Sequence, residues 1–576
     1  MTGLWAAALL APLLLAAAAT AAPLRGAVVA LAPVACLPAL VLAALGERAG
    51  GVDLPWLLLG TRLEVDAVGR PLLLLTALLY CVALAAGRVE RAADPRRAGF
   101  TGIFLLAYTG NVALLVAADA ITFYVGFTVM SLAAWGLVAH TRTSAALRAG
   151  RVYVGLAVLG EVLLLAGLVA AMAAAGTPPT GTLLADLPGA VAAAPGREVI
   201  VVLLVAGLGV KVGLVPLHAW LPLAHPAAPA PASAVLSGAM VKAGLVGWLR
   251  LLPLGEAALP FLGGLLVGLG VAGIFLGVAA GLLQDDPKVQ LAYSTVSQMG
   301  FIAVAVGIGL REPALAGTAI SVAAVYAVAH GLAKGALFLA VPVWHSAASP
   351  ARRRLTLAGV AVAALALAGL APLGGFVAKY GLKELADAAG LPVLLLAAGA
   401  VGTTLLMARF AVTLAGAPVD APRPAGVVEA GWVLLLVAGP ALTWLVGTGL
   451  ADAPVPGGLD ASTWDATWPV LLGAGLAGAA ATRTRLAGER SPRGRPGPRL
   501  PAGDVVVVLE PATVGTLRGL DAAGRLPGAA VAAAAARTRG AAPSLQVWGD
   551  RLALPAWRYL GPLSLATLVL LVALLW

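Results

Sequence analysis

The sequence predicts an all-α polytopic membrane protein of about 14–16 transmembrane helices, and three observations carry that prediction. Of 576 residues, 61% are hydrophobic and 11% charged, where soluble domains carry about 25%. Apolar runs of about twenty residues, the length that crosses a bilayer at 1.5 Å per residue, recur from Leu4 to Trp576. Two of these runs, GLGVKVGLVP (Lys211, Pro216) and LAGLAPLGGFVAK (Pro372, Gly374, Gly375, Lys379), set Pro beside Gly and a lone Lys. Pro removes a backbone donor and clashes with the preceding turn, so each predicts a discontinuous helix. The two lie five helices apart, the pattern of two inverted five-helix repeats with an ion path near the midplane.

In chain order, the N-terminal helices of 1–100 fall near 4–22, 27–45 and 71–87. The first resembles a signal peptide, but no basic residue precedes it, so it is read as a membrane helix. A first repeat over 101–252 takes spans near 101–118, 120–139, 152–175, 198–215 and 230–250. A second over 253–415 takes 257–283, 290–309, 314–341, 355–383 and 391–415, and C-terminal helices 427–449 and 466–482 complete the region 416–482. At 483–557 the composition turns to Arg, Gly and Pro and then to an Ala-rich stretch, Gly528 to Arg539. That cytoplasmic-side lateral segment reads as a solvated linker or an amphipathic helix, interrupted by Pro527, Pro543 and Pro555. A terminal anchor, 558–576, follows.

The formal charge of +11 is spread through the loops, where Lys and Arg set membrane orientation, so nucleic acid is not expected as a partner. Arg88, Arg91, Arg96 and Arg97 share a side with Arg352, Arg353 and Arg354, which predicts a multi-pass protein of the cell inner membrane with its N-terminus outside. The loop 451–465, with Asp452, Asp460 and Asp465, then falls outside. Cys36 and Cys81 stand apart from any His or acid cluster, and Pro222 and Pro226 interrupt any common helix for His218 and His225. No disulfide framework, metal site, phosphate-binding loop or cofactor is expected, so the driving free energy must come from elsewhere.

Of 37 basic residues, 31 are Arg and six are Lys: Lys211, Lys242, Lys288, Lys334, Lys379 and Lys383. Arg keeps its charge in any protein setting, whereas a desolvated Lys exchanges its proton. Five of the six sit within predicted spans, where ionisable groups are rare and usually functional. Lys383, beside Glu384, reads equally well as a snorkelling residue, and Lys288 in QDDPK as a loop residue paired with Asp285 or Asp286. His218 lies seven residues beyond Lys211, and His330 precedes Lys334 by one helical turn on the same face. His140 and His225 read as hydrogen-bonded structural residues. Glu161 stands about 15 Å along its helix from Arg151, near mid-bilayer, and needs a cation or a proton; a Lys on the neighbouring broken helix is the expected partner.

The strings KVGLVPLHAWLPLAHPAAPAPASAVLSGAMVKAGLVGWLR (211–250), DDPKVQLAYSTVSQMGF (285–301), HGLAKGALF (330–338) and LAGLAPLGGFVAK (367–379) resemble the antiporter-like membrane subunits shared by respiratory complex I, Mrp-type sodium/proton antiporters and membrane-bound hydrogenases, including formate hydrogenlyase. WLPLAHPAAP is most similar to the hydrogenase branch. The resemblance implies proton movement by a Glu–Lys pair, a central Lys and a terminal group. By motif these are Lys211, then Lys242 with His330 and Lys334, then Lys379. The acid of the pair falls on Thr128 in FYVGFTVMSL; Thr cannot carry charge, and Glu161 is expected to take its place. The implied partners are other membrane subunits of a hydrogenase-, complex I- or Mrp-like assembly, within which this chain is a proton-translocating subunit without a redox centre of its own. Two alternatives stand: a structural or assembly subunit with a broken path, to which Thr128 points, and a subunit coupling proton flow to inorganic-carbon uptake.

Overall fold

The structure is a computed structural model, and it describes residues 2–176, 181–419, 426–451, 453–457 and 461–486. The terminal anchor expected at 558–576, and the lateral segment beyond Leu486, lie outside the described residues.

The chain opens with α1 (Thr2–Ala18), which bends by 119° into the segment 22–31. That segment holds α2 (Arg25–Leu31) and is followed by α3 (Leu37–Leu45). The span expected over 27–45 is therefore broken: Pro33 and Pro38 withhold the amide donors a continuous helix needs, and a 3₁₀ turn at Val34–Cys36 joins the pieces. A small antiparallel hairpin, β1 (Val52–Leu54) with β2 (Thr61–Leu63), pairs Val52 with Leu63 before α4 (Gly69–Glu90) begins.

Next come α5 (Arg97–Val116), α6 (Ala120–Val138), α7 (Ser144–Ala175) and the short α8 (Leu187–Ala193). A broken span of α9 (Arg197–Val212) and α10 (Leu221–Ala227) follows, then α11 (Ala230–Val235), which runs through a π-helical turn at Leu236–Met240 into α12 (Val241–Leu251). The later helices are α13 (Pro260–Leu282), α14 (Pro287–Arg311), α15 (Ala316–Ser346), α16 (Pro350–Ala368), α17 (Gly374–Ala388), α18 (Val393–Ala415), α19 (Val427–Gly449) and α20 (Ala461–Leu486). Among the described residues, ten helices are individually long and apolar enough to cross a membrane; the spans expected near 4–22, 27–45, 198–215 and 355–383 are met by shorter or broken helices, and the one near 466–482 by α20, which is not among the ten.

The two expected discontinuities share one local design. α9 ends in Gly213 at φ +77° and α16 in Gly369 at φ +100°, left-handed caps that favour glycine. Each is followed by a cis X–Pro bond, Val215–Pro216 and Ala371–Pro372, within the matching strings GLVPL and GLAPL. Leaving out the short α8, each break falls in the fourth span counted from α5 and from α13.

Small residues set how closely helices approach. A Cβ on Gly160 of α7 would sit 2.9 Å from the Gly207 carbonyl of α9, and one on Gly207 would sit 2.8 Å from the Gly160 carbonyl. Gly238 and Gly331 do the same for the π turn against α15, at 2.9 and 2.5 Å. Such backbone-to-backbone contacts are how helices associate where apolar burial provides no drive. α14 and the α11–α12 span are enclosed throughout, whereas Phe261, Val169, Val412 and Val437 project outward from α13, α7, α18 and α19 as lipid-facing residues do.

Two polar clusters fasten the ends. Arg250 at the end of α12 donates to both Asp66 carboxylate oxygens, at 3.0 and 2.7 Å, and to the carbonyls of Leu114 and Leu115 at 2.9 and 2.7 Å. On the Arg-rich side, Asp94 pairs with Arg91 and with His140 Nε2 at 2.7 Å. Burial works to raise the Asp94 carboxyl, but the bonds from His140, the Arg96 amide and Arg91 prevail and hold it well below the usual carboxylate range. Burial pushes the His140 imidazole down despite the Asp94 bond, so His140 is the hydrogen-bonded structural residue expected of it.

Candidate proton-transfer site

The first cluster forms where α7 crosses α9. Because Gly160 and Gly207 let the backbones touch, the next residue on α7, Glu161, and the last turn of α9, with Lys211, face the same space beside α6. Lys211 is 4% exposed, and its ammonium donates to Ser131 Oγ at 2.9 Å and to Tyr153 Oη at 2.8 Å. Tyr153 in turn donates to the Ser131 carbonyl at 2.9 Å. Phe127, Tyr153 and Trp220 surround the amine, with ring centroids 5.7, 5.2 and 5.9 Å away, a cation–π enclosure. Trp220 is held by its own donation to the Val210 carbonyl at 2.7 Å.

Glu161 is buried, its Oε1 has no hydrogen-bond partner among the described residues, and Ser131 and Lys211 are the polar groups nearest its carboxyl. The structure thus brings Glu161 and Lys211 to one buried space, with the Ser131 hydroxyl beside both. A cavity of about 10 Å³, lined by Lys211, Ser131, Tyr153, Gly160 and Gly207, adjoins the cluster; that is about the room one water needs. His218 is buried within the break itself, between α9 and α10.

The second cluster lies where the π turn meets α15. The turn re-registers the helix just before Lys242, and its amine donates to the Ser237 carbonyl at 2.6 Å while lying 2.6 Å from His330 Nδ1. At that separation one proton is shared: a neutral imidazole nitrogen accepts from the ammonium, or a neutral amine accepts from the ring N–H. Ser237 Oγ lies 2.8 Å from Thr295 Oγ1, tying the turn to α14. Lys334, a turn beyond His330, donates to the Leu291 carbonyl at 2.7 Å. Lys242, His330 and Lys334 are all essentially sealed from the surface.

α14 leads onward. Lys334 is level with Leu291, and Tyr326 is level with Gln298, to whose Oε1 it donates at 2.9 Å, so His330 stands level with Ser294 and Thr295. From there to Phe301 is about 10 Å of helix rise. The stretch carries Ser294 and Ser297, whose buried hydroxyls have no hydrogen-bond partner among the described residues, and Gln298, which donates to Thr403 Oγ1 at 3.1 Å. Lys379 Nζ sits 4.8 Å over the Phe301 ring and lines a cavity of about 250 Å³ with Lys383, Asp465 and Trp468. Lys383 is held by Asp465 at 3.4 Å.

Two expectations are corrected. Lys288 is not a loop residue paired with Asp285 or Asp286. It lies in the first turn of α14, its amine donating to the Ala228 carbonyl, while Asp286 caps the helix and Asp285 pairs with Arg409 at 3.0 Å. His225 is not hydrogen-bonded through its ring among the described residues. It stacks on Phe338, and its carbonyl, not its imidazole, accepts from Ser233 at 2.9 Å. Ser131, Tyr153 and Trp220 around Lys211 were not singled out from the sequence, since nothing in the spacing of α6, α7 and the break tells which side chains converge.

The sequence signature of NADH:quinone oxidoreductase/Mrp antiporter transmembrane proteins matches residues 117–406, which hold all the stations above. Hydrogenase-4 component B of Escherichia coli (strain K12) is 33% identical over 339 residues, covering 55% of this chain and 50% of that protein. NADH-quinone oxidoreductase subunit N of Desulforudis audaxviator is 33% identical and has 66% of its length covered, so the chain spans half to two-thirds of these relatives. NADH-quinone oxidoreductase subunit N of Polaromonas naphthalenivorans is 30% identical over 420 residues, 66% of this chain and 83% of that protein. A chain of the Mrp complex from Dietzia sp. shares the fold, with a TM-score of 0.66 at 22% identity over 82% of this chain and all of that one.

Proposed function

The chain belongs to the NADH:quinone oxidoreductase/Mrp antiporter membrane family, and on that premise we propose that it translocates protons as one subunit of a multi-subunit redox-driven or Mrp-type complex. The carrying observation is the buried 2.6 Å contact between Lys242 and His330, with Lys334 one turn along the helix from His330 and a second buried lysine, Lys211, bonded to Ser131. An ammonium in a dry interior keeps its proton only while partnered. A shift of the Glu161 carboxylate away from Ser131 changes the proton affinity of Lys211, and one pKa unit amounts to about 1.36 kcal/mol. Lys211 then passes its proton through water and His330 or Lys334 to Lys242. From Lys242 the proton crosses the Ser294–Ser297–Gln298 stretch to Lys379 and the cavity beyond. Ammonium groups offer sodium no oxygen ligand, which favours protons as the carried ion.

In this reading, 101–252 and 253–415 are the two inverted repeats, and His218 links Lys211 to the break. The protein sits in the plasma membrane with its N-terminus outside, and partner membrane subunits supply the free energy. The test is pumping by membrane vesicles carrying the assembled complex with Lys242→Ala, Lys211→Ala or Glu161→Gln. Loss of pumping with intact assembly is expected. Unchanged pumping favours a scaffold subunit, the reading to which Thr128 points.

A further inference from the structure

His225 is the buried titratable group that the relay above leaves unused. It is 0% exposed, and neither ring nitrogen has a hydrogen-bond partner among the described residues. The ring stacks on Phe338 at 4.7 Å and 25°. A histidine kept for packing alone pairs at least one nitrogen when buried, and Phe would stack equally well. Its surroundings are cationic: Lys334, Lys288 and Lys242 all lie within electrostatic range. Lys334 belongs to the central cluster. Lys288, whose amine donates to the Ala228 carbonyl three residues past His225, belongs to a different space.

That space is a cavity of about 610 Å³ lined by Glu90, Pro229, Ala230, Lys288, His345 and Glu429, far above the ~10–15 Å³ that one water needs. It lies on the Arg-rich side: Glu90 is the last residue of α4, before the Arg91–Arg97 loop, and Glu429 bonds Arg352 at 2.5 Å. Its wall includes Pro229 and Ala230, the residues just after α10, and Glu90 and Asp286 lie within range to offset the charge of Lys288.

We propose that His225 is a proton carrier joining this water-accessible cavity to Lys334, an inlet that enters the central cluster without passing Lys211. The inference rests on the relay proposed above and adds a second entrance to it. A hydronium or a protonated Glu90 gives a proton to one ring nitrogen through water. The imidazolium gives a proton to a neutral Lys334 amine and returns to neutral imidazole, so each step moves one proton and leaves His225 as it began. Lys288 positions the inlet by holding the end of α10.

The test uses vesicles that carry the assembled complex. His225→Phe keeps the stack on Phe338 and removes both nitrogens; His225→Gln can hydrogen-bond water but carries no proton at neutral pH. Both are expected to slow pumping severalfold, by the share that enters through His225, since the entrance at Lys211 stays open. Wild-type pumping by either variant overturns the inlet. If Lys211→Ala and Lys242→Ala lose pumping while both His225 variants keep it, the inlet alone falls; if all four pump normally, the relay falls with it. A second measurement does not depend on pumping. Lys288→Cys should react with a membrane-impermeant maleimide in inverted vesicles, which expose the Arg-rich side, above the background set by Cys36 and Cys81 in the parent chain. Absence of labelling overturns the water-accessible cavity.

Discussion

Ser131→Ala removes the hydroxyl that lies beside both Lys211 and Glu161. Ser131 is fully buried, and the substitution deletes one oxygen and leaves the backbone carbonyl to which Tyr153 donates. Lys211 then loses its 2.9 Å bond to the hydroxyl but keeps the 2.8 Å bond to Tyr153, and Glu161 loses the hydroxyl beside its carboxyl. A hydrogen bond to a charged group is worth about 1.5–3 kcal/mol, and with about 1.36 kcal/mol per decade the pumping rate should fall by about tenfold to about a hundredfold. The assay is dye-reported acidification of inverted vesicles, with complex content normalised by immunoblot. A double-mutant cycle sharpens it: because Ser131 carries the coupling, Glu161→Gln should cost much less in the Ser131→Ala background than alone. Wild-type pumping by Ser131→Ala, or full additivity of the two substitutions, would refute the relay through the hydroxyl.

Gly331→Ala places a Cβ 2.5 Å from the Gly238 carbonyl; unfolding in detergent should show a loss of about 1–3 kcal/mol, and unchanged stability would mean that the α15 contact with the π turn can yield. Arg250→Met strips donors from the Leu114 and Leu115 carbonyls and from Asp66, and the same assay should show a loss of about 3 kcal/mol or more, with a loss under about 1 kcal/mol counting against that anchor. Asp94 titrates below its unfolded value, so its contribution to stability is present above the ordinary carboxylate range and is lost as pH falls through the lower folded value. Asp94→Asn should flatten the acid limb of melting temperature against pH; an unchanged limb would show that the His140 and Arg91 contacts do not hold this loop.

Much of the architecture was legible because the bilayer simplifies what a sequence must encode. An apolar run of twenty residues with its charges at the ends reads as a helix whatever its neighbours, and a Gly–x–x–Pro inside such a run reads as a break. Both GLVPL and GLAPL proved to be breaks, each with a left-handed glycine cap. The segment 27–45 was harder: Pro33 and Pro38 were visible, but their joint effect of splitting the span into α2 and α3 depends on packing against α1 and α5. The hairpin at 52–63 carries only three residues per strand, too short a pattern to distinguish from a loop.

The amino-acid order alone determined that ionisable side chains would lie inside the membrane, because their positions along apolar helices leave no other place for them. It also determined which of them keep an exchangeable proton, since Lys and His do and Arg does not. Which groups meet was decided by tertiary structure. Glu161 and Lys211 share a space beside Ser131 because Gly160 and Gly207 allow two backbones to touch, and Lys242 reaches His330 where a π turn and the Gly238–Gly331 contact bring one helix against another. His225 and Lys288 changed their reading for the same reason: spacing within a helix fixes its faces, but what each face encounters depends on helices brought together from distant parts of the chain.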